Sequence, residues 1–427
     1  MALSVALPLE KARPHLASAI RLVLLLTVSK GLALAASIVI ARQFDRQVSG
    51  LLFFVTGLVT LSLSFTTLGL TASASYHYAR NLARRRLARN HQALLLALVV
   101  ALPSSAAFGL LALAMPEARE TGTTGLILAV TLTCFFAAIR QWAKTALAIE
   151  GQREWSLVHD GILFQAVLVP GLLLLPEKSA AAALIVLTLA AVIAGLPALW
   201  HAASYPHGPW ILPPRRYAKR LLAIGLPAMA AQGSALLLNR LDVVMLGPLS
   251  TAGAVADYAV AMRLTYMAGL PGEIVTILLM PHLAAAAASR EPARQWRLLK
   301  LTMVSQVFAT GLVALPLMLF AGDVVTLVFG AAYLSAVPVF LLLQAGKLLT
   351  SAFSPALALF TGLGYSAALA RTNLAAAVIN LLLNAALIPA WGAQGAAVAT
   401  FFSLCLMAFR YAAIARDLRR RGGAHAS

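Results

Sequence analysis

The chain has 427 residues, 61% of them hydrophobic and 11% charged, with a mean hydropathy of +0.87. Soluble domains are roughly 45–50% apolar and about a quarter charged, so this composition excludes an ordinary water-soluble protein and calls for a helical bundle in lipid. The net charge of +19 invites a nucleic-acid reading, but the placement of the basic residues below argues for orientation signals in a membrane instead.

In chain order, apolar stretches occupy 17–41, 50–72, 92–115, 124–147, 156–176, 179–203, 219–246, 253–284, 298–321, 333–360, 367–389 and 393–415. Each is long enough for a crossing of about 20 residues, which makes about twelve spans and puts both termini on one side. The start, with Glu10, Lys11 and Arg13 ahead of the first stretch, lacks a small-residue cleavage site, so a retained first span is expected rather than a cleaved signal. Cys134 and Cys405 both sit inside apolar stretches, which suggests neither a disulfide framework nor a thiolate metal site.

Topology predicts that basic residues load every second connection, and they do. The loop after the second span carries Arg80, Arg84, Arg85, Arg86 and Arg89; the mid-chain loop carries Arg215, Arg216, Lys219 and Arg220. The next loaded loop holds Arg290, Arg294 and Arg297, and the tail Arg416, Arg419, Arg420 and Arg421. The connections near Gly247–Ala256 and Trp391–Gln394 hold no Lys or Arg, and near Pro116–Gly122 Arg119 is flanked by Glu117 and Glu120. Both termini are therefore expected in the cytoplasm. The stretch His201–Lys219, with Pro206, Pro209, Pro213 and Pro214, reads as a linker. The expected organisation is a six-helix lobe over 1–203, a cytoplasmic linker over 204–218, a second six-helix lobe over 219–417 and a tail over 418–427, with a site between parallel repeats.

Several ordered runs resemble a known family. Ile224-Gly225-Leu226-Pro227, Asn239-Arg240-Leu241-Asp242 and Gly247 are followed by Tyr258-Ala259-Val260-Ala261-Met262-Arg263-Leu264, then Phe329-Gly330, Tyr333 and Pro338. The series ends in Asn380-Leu381-Leu382-Leu383-Asn384, Ile388-Pro389, Gly392, Gly395-Ala396-Ala397 and Ala399-Thr400; Ala41-Arg42 through Ser49-Gly50 and Leu68-Gly69-Leu70 form a weaker counterpart in the first half. By order and spacing, the chain resembles polysaccharide-export flippases, in the superfamily that also holds multidrug and toxin extruders and lipid II flippases. The resemblance implies an all-α membrane protein with about twelve helices in two six-helix lobes, a MATE-like exporter fold. It implies a flippase, without a cofactor, that carries polyprenyl-diphosphate-linked oligosaccharide across the bacterial inner membrane for surface polysaccharide such as the O-antigen of lipopolysaccharide. Implied partners are the lipid-linked substrate, membrane lipids and polysaccharide polymerase machinery. Two alternatives stay open: a cation-coupled multidrug extruder of the same superfamily, and a membrane glycosyltransferase or polymerase using the same lipid carriers.

Charges at mid-bilayer cost at least a few kcal/mol and usually face a cavity or a partner. Four cations fall there: Lys30 in the first span, Arg240 in the seventh, Arg263 in the eighth and Lys347 in the tenth. Asp242 and Glu273 are candidate structural ion-pair partners for Arg240 or Arg263. Gln344, Lys347 and Ser351 recur at helical spacing, as do Asn373, Asn380 and Asn384. The asparagine face fits substrate contact or interhelical hydrogen bonding equally, whereas Lys30 and Lys347, with no acidic neighbour at helical spacing, are read as facing a cavity. Arg140 and Lys144, one turn apart in the fourth span, fit either snorkelling to headgroups or an entrance for an anionic headgroup. Pro227, Pro271 and Pro355 favour bends. No Walker-type loop and no HExxH or comparable ligand set occurs, so ATP hydrolysis and a catalytic metal are not expected.

Overall fold

A computed structural model describes residues 9–83, 88–117, 122–149, 151–204, 211–288, 291–354 and 356–424. Loop residues Arg84, Arg85, Arg86, Arg119, Glu120 and Arg290, the linker prolines Pro206 and Pro209, and Pro355 lie outside the described residues.

Among the described residues the fold is all helical. Helices α1 (Leu9–Gln43) and α2 (Arg46–Phe65) are separated by a two-residue break, where the Asp45 carboxylate accepts the Val48 amide at 2.7 Å and caps the start of α2. A turn with positive φ at Leu68 and Gly69 leads into α3 (Leu70–Ala83), then α4 (Ala88–Leu111) and α5 (Thr123–Ile149). The fifth apolar stretch is interrupted: α6 (Arg153–Leu157) passes through a π-helical turn, Val158–Ile162, into α7 (Leu163–Leu173). Helix α8 (Ala180–Ser204) completes the first half.

The second half opens with α9 (Arg215–Leu249) and α10 (Ala252–Ala288), each continuous through its proline, Pro227 or Pro271. Next come α11 (Pro292–Leu319), with proline in its first turn where no backbone donor is needed, and the short α12 (Ala321–Val328). The tenth stretch divides into α13 (Ala336–Ser351) and α14 (Ala356–Gly362).

The last helix, α15 (Ser366–Ala424), contains one non-helical residue, Gly392, with φ 52° and ψ −128°. This is a backbone region that only glycine enters at low cost. Asn380 and Thr400, 20 residues apart, are hydrogen-bonded at 3.3 Å, and Tyr411 donates to Asn373 across 38 residues at 2.8 Å. In a straight helix those pairs would stand roughly 30 and 57 Å apart. α15 therefore doubles back at Gly392 into two antiparallel arms, and the connection expected near Trp391–Gln394 is this single residue.

Among the described residues, seven helices are long and apolar enough to cross a membrane, with α7 and α13 as shorter apolar helices. α15 is one of the seven and supplies two arms. α9 and α10 are long enough but carry Arg240, Asp242, Asp257 and Arg263. The helical segments follow the apolar stretches of the sequence, and the chain is a multi-pass membrane protein.

Packing divides the chain into two compact units, residues 1–39, 62–111 and 124–229 in one, and 40–61, 112–123 and 230–427 in the other. In the first, α3, α4 and α5 share a core with the start of α9 around Leu70, Leu94, Trp142 and Leu221. Thr133 and Thr188 join α5 to α8 at 3.3 Å. In the second, α10 packs on α11, α13, α14 and α15. Its apolar core centres on Leu283, Leu299, Phe353, Phe360 and Tyr411. α2 approaches the start of α10 so closely that a Cβ on Gly50 would strike the Ala252 backbone.

Candidate functional site

The polar centre of the second unit is built from α9, α10 and both arms of α15. Asp242, 2% exposed, accepts from the Tyr258 hydroxyl, from Thr400 Oγ1 at 2.7 Å and from Asn384 Nδ2 at 2.5 Å. Asn384 also donates to Asn380 Oδ1 at 3.0 Å. Doubling back at Gly392 is what brings Thr400 beside Asn380.

Asp242 therefore corrects the expected ion pair. Its oxygens are taken by neutral donors, and among the described residues neither Arg240 nor Arg263 pairs with a carboxylate. The reason is helical geometry: Arg240 and Asp242 are two apart on α9, and residues at that spacing point to different sides. Glu273 is exposed on α10, roughly 15 Å along the axis from Arg263.

Asp242 is one carboxylate held by two hydroxyl donors and one amide N–H donor. A buried charge in hydrocarbon must be neutralised or hydrogen-bonded; these donors do that, and a proton, or a hard monovalent cation toward which the hydroxyls turn their oxygens, would take their place. Among the described residues, no group of three or more His, Cys, Asp or Glu stands ready for a more highly charged metal.

Asp242, Tyr258 and Thr400 form one wall of a cavity of about 230 Å³. Lys347 lines it from α13, with Tyr266, Ser403 and Tyr411. One turn from Lys347, Gln344 is fully buried, and neither of its side-chain amide atoms has a hydrogen-bond partner.

Arg240 and Arg263 line a second, much smaller cleft of about 20 Å³ with Phe53, Thr56 and Thr60 of α2 and Tyr266 of α10. The Arg240 guanidinium stacks over the Tyr266 ring at 5.7 Å from its centroid. Met262 and Tyr266, one turn apart, line both the cavity and the cleft.

A third cluster escaped the sequence reading. Arg46, at the start of α2, pairs with Asp257 of α10 and donates to Ser335 Oγ at 2.7 Å. Four residues earlier, at the end of α1, Arg42 donates to the end carbonyls of α12, including Val328 at 3.0 Å and Leu327, where a cation meets the negative end of the helix dipole.

The remaining candidates lie elsewhere. Lys30 is exposed on α1, in the first unit. Arg140, 7% exposed, lies over the Phe164 ring at 4.4 Å rather than at an exposed rim; Lys144 is half-buried one turn on. Of the expected substrate residues, the second unit gathers Arg240, Arg263, Lys347, Gln344, Asn380 and Asn384, with Asp242 as a hydrogen-bond hub.

Comparison with known proteins agrees with this architecture. The structure is similar to the lipid II flippase MurJ in an inward closed conformation (TM-score 0.76, 12% identity, 92% of this chain and 86% of that one). It is also similar to an inward-facing multidrug resistance MATE family transporter of the MOP superfamily (TM-score 0.69, 17% identity, 94% and 99%). In sequence it is 25% identical over 170 residues to a probable low-salt glycan biosynthesis flippase of Haloferax volcanii, covering 39% of this chain and 35% of the relative. It is 27% identical over 195 residues to an uncharacterised membrane protein of Methanocaldococcus jannaschii, covering 45% and 38%. The matched segments thus span little over a third of these relatives' length, and none of these proteins is named as an enzyme. A family model described as polysaccharide biosynthesis protein matches residues 16–286, more than half of the sequence. The chain belongs to the polysaccharide biosynthesis protein family.

Proposed function

We propose that this protein is a flippase for lipid-linked glycans, moving a polyprenyl-diphosphate-linked oligosaccharide from the cytoplasmic to the outer leaflet for surface polysaccharide. The observation that carries the reading is the Arg240–Arg263 cleft: an arginine from α9 and one from α10 meet there, neither paired with a carboxylate among the described residues, and on this reading the cleft widens to admit the diphosphate. Like charges held together away from water call for an anion, and guanidinium forks match phosphate oxygens. The family, the glycan flippase among its sequence relatives and the lipid II flippase among its structural neighbours support the same cargo. Asp242 is the coupling residue on this reading, exchanging a proton or a monovalent cation while the arginines hold the diphosphate. On this reading the protein lies in the cytoplasmic membrane with both termini in the cytoplasm, an orientation the loaded loops support. Lobes over 1–203 and 219–417 would alternate access, and the polymerase machinery would receive the delivered glycan.

The multidrug alternative has one observation in its favour, Asp242 with Tyr258, Tyr266, Met262 and Met407 on one cavity wall, which would suit an organic cation. Both readings meet in one experiment. Purified protein in liposomes is given a fluorescent diphosphate-linked oligosaccharide lipid or an organic dye. Movement of the lipid, reduced about tenfold or more by Arg240→Gln or Arg263→Gln, supports the flippase. Dye movement with no lipid movement across several glycans sinks it.

A further inference from the structure

We propose that the cavity inside the second unit is a separate subsite for an acidic sugar of the glycan, the ring nearest the diphosphate. This rests on the flippase reading above and adds the substrate class that the cavity selects.

The size and chemistry of the cavity argue for one sugar ring. At about 230 Å³ it matches the size of a single pyranose. Tyr266 and Tyr411 contribute rings to its wall, while Thr350 and Ser403 contribute hydroxyls. Those hydroxyls and the Tyr411 phenol already donate, Thr350 to the carbonyls of Gly346 and Lys347, Ser403 to the Ala399 carbonyl at 2.8 Å, and Tyr411 to Asn373 at 2.8 Å. Their lone pairs remain to accept hydrogen bonds, and a sugar arrives rich in hydroxyl donors.

Lys347 supplies the charge preference. Among the described residues its ammonium pairs with no carboxylate. The acid on the same wall, Asp242, is saturated by Tyr258, Thr400 and Asn384. A carboxylate on the sugar would complete Lys347 with a charge-assisted hydrogen bond.

Position links the subsite to the cargo. Met262 and Tyr266 line both the cavity and the Arg240–Arg263 cleft, and the same Tyr266 ring lies under Arg240. The cavity and the cleft therefore adjoin at Met262 and Tyr266, and on this proposal the first sugar enters the cavity past these two side chains.

The test compares two synthetic polyprenyl-diphosphate lipids in liposomes, one carrying glucuronic acid and one carrying glucose as first sugar. Wild-type protein is expected to move the glucuronic acid lipid faster by about tenfold, the worth of one hydrogen bond to a charged group. Lys347→Gln should bring that ratio close to one, Lys347→Arg should retain it, and Arg263→Gln should slow both lipids while keeping the ratio. Free glucuronate, and not free glucose, should inhibit wild-type transport of the acidic lipid, a measurement that needs no folded variant. Equal wild-type rates for the two lipids overturn the subsite while leaving the flippase reading standing. Equal losses of both lipids in Lys347→Gln also overturn it, assigning the lysine to the diphosphate. Movement of neither lipid removes the flippase reading itself.

Discussion

Replacing Tyr258 by Phe removes one hydroxyl from a fully enclosed side chain, 1% exposed, and leaves its packing intact. That hydroxyl donates to Asp242 Oδ2, which also accepts from Thr400 at 2.7 Å. Interhelical hydrogen bonds between neutral groups in membranes average about 0.6 kcal/mol, whereas bonds to a charged group are worth about 1.5–3 kcal/mol. Three donors converge on the two oxygens of Asp242, the arrangement of a carboxylate that only accepts. Thr400 stays on the same oxygen, so the loss falls at the low end, about 1.5 kcal/mol. With Asn at position 242 the acceptor is neutral, and the same change should cost about 0.6 kcal/mol. The double-mutant cycle therefore predicts a coupling of about 1 kcal/mol, measurable by reversible unfolding in mixed detergent micelles with Asp242→Asn, Tyr258→Phe and the double variant. Additivity within about 0.3–0.5 kcal/mol would refute the picture of Asp242 as a charged hub.

Arg46→Leu strands Asp257, whose side chain is 7% exposed against 40% for Arg46. The expected loss is about 1–2 kcal/mol after allowing for screening on the arginine side. Asp257→Asn in the same chain should recover most of that loss in a thermal melt. Gly50→Val pushes a side chain into the Ala252 backbone and should cost about 1–3 kcal/mol. Gly31→Ala, with nothing within 4 Å, should be neutral or stabilising by about 0.4–1 kcal/mol; equal melting temperatures for these two variants would contradict the close approach of α2 to α10.

The elements were legible because each depends on nearby residues. Apolar runs longer than a bilayer, Asp45 as a cap and Pro292 in a first turn all act within a few residues of themselves. The turn at Gly392 shows where this reading weakens: the sequence marked a basic-free connection there, and only the backbone reveals that one residue makes it. The site was legible by residue type and not by partner. Arg240, Arg263, Lys347, Asn380 and Asn384 stood out as polar groups in apolar stretches, but which of them meet depends on the doubling back of α15 and on the faces of α9 and α10. Tyr258 and Thr400 carried no charge to mark them, although both lie in the runs that carried the family resemblance. Arg46 and Asp257 sit near span ends, where a charge is unremarkable, so nothing local singled out their pairing across 211 residues.

The segregation of charge in the second unit gives the proposed transport a direction. A diphosphate leaving a cell with a negative interior moves two charges down the potential, about 5 kcal/mol at 100 mV. A cation or proton exchanged at Asp242 and moving inward adds about 2.3 kcal/mol at the same potential. The two movements are electrically cooperative only if the ions do not neutralise each other in transit. Arg240 and Asp242, on opposite sides of α9, provide that separation: the arginines face the cleft and the acid faces the cavity. Were the two residues paired, the acid would compete with the diphosphate for the same guanidinium. In the proposed transport, an α9 that turned both groups to one side would thus lose affinity for the cargo, and the two-residue spacing of Arg240 and Asp242 would keep cargo and coupling ion on separate sides of the helix.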